Sequence, residues 1–187
     1  MSSIKLIVGL GNPGRQYEFT RHNIGAKWVA ALAARFDIRF TTETKFQGRL
    51  GHGSVLDSRI RLLLPSTYMN SSGDSVALVA RYFQYAAEEI LVVHDELAFD
   101  VGIVRLKRGG GSKDFVRMRL GIGHPGEASE VFHYVLKEPS AGDAAEIERA
   151  IDEGSQVFDA VVEGRFEEAM LRLHTRPDAS NATNQKE

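Results

Sequence analysis

The chain has 187 residues, 43% of them apolar and 26% charged, a globular balance that excludes a disordered or collagen-like polymer and fits one domain. There is no cysteine and the net charge is −2. Disulfides, thiolate metal sites and cysteine nucleophiles are therefore excluded, and a wholesale nucleic-acid binder is not indicated. No stretch is apolar enough for long enough to span a bilayer. The opening Met-Ser-Ser-Ile-Lys runs into a strand-like segment rather than a secretory signal, so a cytosolic address is expected.

Ile4 to Leu10 reads as a buried strand closed by glycine-rich punctuation. Ile24, Trp28, Leu32 and Phe36 recur every four residues, which predicts a helix beginning near Thr20 to Asn23. Phe46 to Val55 and Arg59 to Leu64 read as two strands around an Asp57-Ser58 turn. Val76, Val79, Ala80 and Phe83 place a helix over 72–83, and Ile90 to Val93 is a short buried strand. Val104 and Leu106, then Val116, Met118, Leu120 and Ile122, alternate with basic residues, giving two half-buried strands with a basic outer face. Ser140-Ala-Gly-Asp143 fits a capping box before a helix that turns Ile147, Ile151, Phe158 and Val161 inward. Gly164 breaks that helix, and Phe166, Met170 and Leu173 mark a last short one. The 177–187 segment is polar and aperiodic, so residues 1–176 are read as the domain and the rest as a frayed tail. Strands alternating with helices predict a single α/β domain, a mixed twisted sheet covered by helices on both faces.

Charge is segregated along the chain. Arg105 to Arg119 holds six bases and one acid, whereas Asp143 to Glu168 holds nine acids and two bases. Such a pattern suits a local polyanion site on a neutral body, or equally two solvated faces of opposite bias.

Gly9-Leu-Gly11-Asn-Pro-Gly14 has dinucleotide-site spacing after a strand. A nucleotide-dependent oxidoreductase is one reading. The other is a tight loop whose glycines supply unusual φ values. No helical periodicity follows the last glycine directly, and the acid at the expected distance, Asp37, follows a helix rather than a second strand, which favours the loop. His22 lies at or just before a helix start, where the dipole favours neutral imidazole, the form a general base needs. His94-Asp95-Glu96 ends a predicted strand, where sites in open α/β sheets collect, and an acid there can orient a histidine from a neighbouring loop. No His-x-x-x-His pairing supports a metal.

Four pieces stand in one order: Gly9-Leu-Gly-Asn-Pro-Gly14 with Tyr17, Thr20-Arg-His-Asn23-x-Gly25, Thr67-Tyr-Met-Asn70-x-Ser-Gly73, and Asp95-Glu-Leu97 followed by Gly102 and Arg105-Leu-Lys107. Phe115-x-Arg-x-Arg-x-Gly-Ile-Gly-x-Pro-Gly126 and Leu171-Arg-Leu-His174 follow. From Ile4 to His174 the chain resembles the bacterial peptidyl-tRNA hydrolase family. The resemblance implies a single α/β domain that cleaves the ester between a peptide and the 3′ end of tRNA and so recycles tRNA from aborted translation. It places the catalytic histidine at His22 and its acid at Asp95. It places substrate-binding asparagines at Asn12 and Asn70, with Tyr17 and Met69 lining the cleft. It implies no metal or organic cofactor, and a soluble monomer fits. Arg105, Lys107, Arg117 and Arg119 would meet tRNA phosphates. A non-catalytic RNA-binding relative of the same fold is the alternative, and His22 and Asp95 standing together argue against it. One feature departs from the family. After the Arg-x-Lys strand the family continues into Gly-Gly-His-Asn-Gly and a helix, with a further substrate-binding asparagine, whereas here Gly109-Gly110-Gly111 passes directly to Ser112-Lys113-Asp114-Phe115. The well-matched flanks favour an omission from the sequence over an evolved loss. An intact mass above 20.7 kDa would show it.

Overall fold

The computed structural model describes residues 3–109 and 115–174. The predicted tail, and the Gly111-Ser112 junction where the family carries extra chain, lie outside these residues. Among the described residues, seven strands form one mixed sheet: β1 (Leu6–Gly9), β2 (Phe40–Glu43), β3 (Gly48–Val55), β4 (Ser58–Pro65), β5 (Ile90–Glu96), β6 (Val104–Arg108) and β7 (Val116–Gly121). Their spatial order is β2-β3-β4-β1-β5-β7-β6. The three central pairings, β4 with β1, β1 with β5 and β5 with β7, are parallel. The runs Leu6-Ile7-Val8 and Ile90 to Val93 are buried on both faces, as the middle of a parallel sheet requires.

Among the described residues, six α-helices cover the sheet: α1 (Ile24–Arg35), α2 (Ser72–Phe83), α3 (Val131–Val135), α4 (Ala141–Gln156), α5 (Phe158–Val162) and α6 (Phe166–His174). Helix α1 and the helices from α3 onward pack on one face around Trp28 and Phe158, whose rings meet edge to face at 5.9 Å. Trp28 Nε1 donates to the Ile151 carbonyl at 3.2 Å, which satisfies the polar atom of a fully buried ring. Helix α2 covers the opposite face through Val76 and Val79, against Leu6, Val8 and Leu63. Because α1 leaves β1 toward one face and α2 leaves β4 toward the other, a crevice opens beyond the carboxyl ends of β1 and β4, lined by Gly11, Asn12, Pro65 and Ser66.

Several expectations shift in detail. Strand β2 pairs with β3 although its sequence, Phe-Thr-Thr-Glu, carries no apolar alternation. The β3–β4 turn is centred on Leu56-Asp57, with φ +48° and +62°, one residue earlier than the composition suggested. The helix expected to run through Phe158 stops at Gln156 and restarts as α5, and the chain turns again at Gly164 with φ +78°. Ser140 does cap α4, accepting the Asp143 N–H at 3.2 Å, but Asp143 turns its carboxylate to Arg21 instead of closing the reciprocal half of the box. Strands β6 and β7 are paired to their ends, Arg108 opposite Val116. Extra chain inserted between those two ends would leave the sheet register unchanged.

Candidate active site

The loop after β1 explains its own glycines. Gly9 and Gly11 have ordinary φ values, and only Gly14, at +115°, needs the freedom of glycine. A Cβ on Gly9 would stand 2.7 Å from the Gly25 carbonyl oxygen, and one on Gly25 would stand 2.2 Å from the Val93 carbonyl oxygen. These glycines therefore let α1 dock against the ends of β1 and β5. The Ala26 N–H then donates to the Leu10 carbonyl at 2.9 Å. Helix α1 begins ten residues after Gly14 rather than at it, so the loop does not present a helix N-terminus to a pyrophosphate as a dinucleotide turn would.

A single 3-10 turn, Arg21–Asn23, leads into α1 and carries three consecutive side chains with separate partners. Arg21 is buried and directed backwards. Its guanidinium donates to the carbonyl of Glu138 at 3.0 Å, with longer contacts to those of Lys137 and Tyr134 at 3.4 and 3.5 Å. It also pairs with Asp143 at 3.1 Å and lies 4.2 Å from the Tyr134 ring centroid. His22 faces the end of β5, its Nδ1 lying 2.8 Å from Asp95 Oδ2. The Asp95 side chain is 9% exposed and that of His22 24%, so the carboxylate is nearly buried while the imidazole keeps part of its surface open to solvent. A carboxylate can only accept, so Nδ1 carries the proton and Nε2 is left as the basic nitrogen. The neighbouring His94 turns its own Nδ1 to the Asp95 carbonyl at 2.6 Å and does not join the pair.

Asn12 lies in the loop after β1. Its Oδ1 accepts the backbone N–H of Met69 at 2.8 Å. Only the oxygen of an amide can accept, so this contact fixes the side-chain flip and leaves the Nδ2 donors for another partner. Met69 opens a 3-10 turn ahead of α2, and Asn70 stands exposed one residue later. Tyr17 meets Tyr68 edge to face at 6.5 Å. Tyr68 is 59% exposed and was not among the expected cleft residues, although it sits inside the Thr67-Tyr-Met-Asn70 motif. The geometry thus joins His22 to Asp95 and Asn12 to Met69. Asn23, also missed, links the two by bonding the Asn12 backbone.

The four expected tRNA-binding residues share one sheet face, with Arg105 opposite Arg119 and Lys107 opposite Arg117 across β6 and β7. The face is less solvated than alternation alone implies. Arg119 pairs with Glu96 at 3.6 Å and lies over Phe99, Arg117 donates to the Gly109 carbonyl, and Arg105 donates to the Leu173 carbonyl at 2.9 Å. Lys107 is exposed. At the end of α6, His174 Nε2 accepts the Leu106 N–H at 3.2 Å, which satisfies a donor of edge strand β6. Burial, then the charges of Arg105 and Arg119, lower the His174 pKa and keep the ring neutral enough to accept that bond. Among the described residues, no three His, Cys, Asp or Glu side chains converge as metal ligands would. No helix among them is long and apolar enough to cross a membrane.

Comparison with known proteins gives a consistent result. The sequence pattern of the peptidyl-tRNA hydrolase family matches residues 6–182. A peptidyl-tRNA hydrolase of Nitrosomonas europaea is 45% identical, over 94% of this chain and 97% of that protein. One of Methylobacillus flagellatus is 47% identical, over 94% and 99%. The crystal structure of peptidyl-tRNA hydrolase from Acinetobacter baumannii superposes with a TM-score of 0.90 at 40% identity, over 92% of this chain and 95% of that one.

Proposed function

Because this chain belongs to the peptidyl-tRNA hydrolase family, we propose that it hydrolyses the ester linking a peptide to the 3′ end of tRNA, with His22 as base and Asp95 as its orienting acid. The observation that carries the assignment is the 2.8 Å contact between His22 Nδ1 and Asp95 Oδ2 at the carboxyl end of β5. With Nδ1 donating to the carboxylate, Nε2 takes a proton from water as the water oxygen attacks the ester carbonyl carbon. The Asp95 charge stabilises the imidazolium that forms. As the tetrahedral intermediate collapses, the bond to the ribose oxygen breaks, and Nε2 returns the proton to that oxygen. The products are a peptide carboxylic acid, which releases its proton to water, and a tRNA with a free 3′ hydroxyl.

Asn12, fixed by the Met69 N–H, supplies Nδ2 donors to the substrate carbonyl oxygen as charge develops on it. Asn70, Tyr17 and Met69 line the same cleft and contact the peptide or the terminal nucleotide. Arg105, Lys107, Arg117 and Arg119 meet phosphates of the tRNA, which makes affinity salt-dependent and separates this substrate from a free peptide ester. Translation supplies the substrate, which supports a cytoplasmic site of action.

The test is hydrolysis in H2(18)O. Water attack at the carbonyl puts one labelled oxygen into the new peptide carboxylate and none into the tRNA 3′ hydroxyl. Release of unlabelled peptide would rule out attack of water at the ester carbonyl.

A further inference from the structure

We propose that Asn23 is a positioning residue for the hydrolysis, acting through Asn12; the inference rests on the reading of Asn12 as a substrate donor. Asn23 is buried at 7% exposure, between His22 and the start of α1. Its Oδ1 accepts the Asn12 N–H at 2.8 Å, and its Nδ2 donates to the Asn12 carbonyl at 2.9 Å. One primary amide thus satisfies both backbone groups of a residue that belongs to no helix or strand. The pairing has the two-point geometry of a β-ladder, supplied by a side chain. It holds the backbone of Asn12 while Met69 holds its Oδ1. With three anchors in place, the direction of Nδ2 is set before substrate arrives.

Gly11 shows that the loop is shaped around this amide. A Cβ there would stand 2.9 Å from Asn23 Cγ and 3.0 Å from Nδ2. The glycine thus leaves room for the side chain that reaches under the loop. Asn23 also ties the donor to the base, because His22 precedes it in the same turn. A movement of that turn displaces His22 and Asn12 together.

The two donor–acceptor contacts call for a primary amide. Aspartate would keep the acceptor for the Asn12 N–H but set a carboxylate oxygen against the Asn12 carbonyl. Serine is too short to make both contacts. The experiment is a double-mutant cycle on peptidyl-tRNA, combining Asn23→Asp or Asn23→Ser with Asn12→Ala, with kcat and KM measured separately and each variant's folding followed by thermal melting. Each Asn23 variant alone should lower kcat by about 10- to 100-fold, with a smaller change in KM. In the Asn12→Ala background, where there is no amide left to aim, the same substitution should cost less than about threefold. Losses that multiply in the double variants while Asn12→Ala itself is impaired would overturn the positioning role and leave Asn12 as the donor. A near-normal kcat for Asn12→Ala would overturn the donor reading and the positioning role with it. Amide hydrogen exchange on the unmodified protein tests the same contact without a variant. The Asn12 N–H should be protected, and exchange at the rate of an open loop would overturn the proposal.

Discussion

Replacing Arg21 with methionine isolates the anchor behind the turn that carries His22. Methionine keeps an unbranched apolar stem and removes the guanidinium. What is lost is one well-formed bond to the Glu138 carbonyl at 3.0 Å, two weaker ones at 3.4 and 3.5 Å, and the contact with the Tyr134 ring. A bond from a charged donor is worth about 1.5–3 kcal/mol, and the ring contact adds about 1 kcal/mol. The ion pair with Asp143 contributes less, because that carboxylate is 35% exposed and screened by solvent. Some freed carbonyls gain water, so the net cost should be about 2–3 kcal/mol. For a chain of this length that is a fall in Tm of about 4–12 °C. Asp143→Asn, by contrast, should cost less than about 1 kcal/mol. Urea unfolding followed by circular dichroism measures both. The reasoning fails if Arg21→Met lies within 0.5 kcal/mol of the unmodified protein, a margin of about the scatter of surface substitutions, or if Asp143→Asn costs as much as Arg21→Met.

Gly25→Ala sets a methyl 2.2 Å from the Val93 carbonyl oxygen, a backbone atom that cannot yield, so α1 must lift from β5; stability should fall by about 3 kcal/mol, and a normal melting curve would refute the close docking. His174, whose pKa is lowered from its ordinary 6.5, stays neutral in the fold while the unfolded chain takes up a proton. Stability should therefore be whole above pH 6.5 and decline below it until the folded-state ring also titrates, and His174→Gln should flatten that decline in urea midpoints taken across the range. A decline of unchanged steepness in the variant would place its origin elsewhere. Lys107→Glu should raise KM for peptidyl-tRNA and reduce the salt slope of tRNA binding by about 1, with kcat little changed; an unchanged slope would remove Lys107 from the interface.

The parts of the fold that were legible in the sequence are those whose patterns are local. The runs in β1 and β5, the four-residue spacing in α1 and the alternation in β6 and β7 each state a burial pattern within a few residues. Strand β2 was not legible, because Phe40 to Glu43 owes its conformation to pairing with β3 rather than to its own alternation. The break after Gln156 was missed because the apolar spacing of Ile147, Ile151, Phe158 and Val161 continues across it. At the site, the family motifs pointed to His22, Asp95 and Asn12 and paired the first two, but did not reveal the bonds of Asn12 to Met69 and Asn23. The glycines of the Gly9 to Gly14 loop were read for unusual φ, and two of them serve close approach instead. That difference lies in α1 and β5, distant in sequence. Arg21 and Asn23 were hidden for a similar reason, since each is defined by backbone groups it meets across the fold.

The central claim is that Nε2 of His22 takes the proton from water. Its most direct test is the single-turnover rate of peptidyl-tRNA cleavage by His22→Ala at saturating enzyme, where binding no longer limits the rate. Losing a positioned general base should slow that rate by about 10²–10⁴-fold, while affinity for tRNA stays near normal because the proposed phosphate contacts lie on β6 and β7. A cleavage rate within tenfold of the unmodified enzyme, short of the smallest effect expected of a lost general base, would contradict the assignment of His22 as the base.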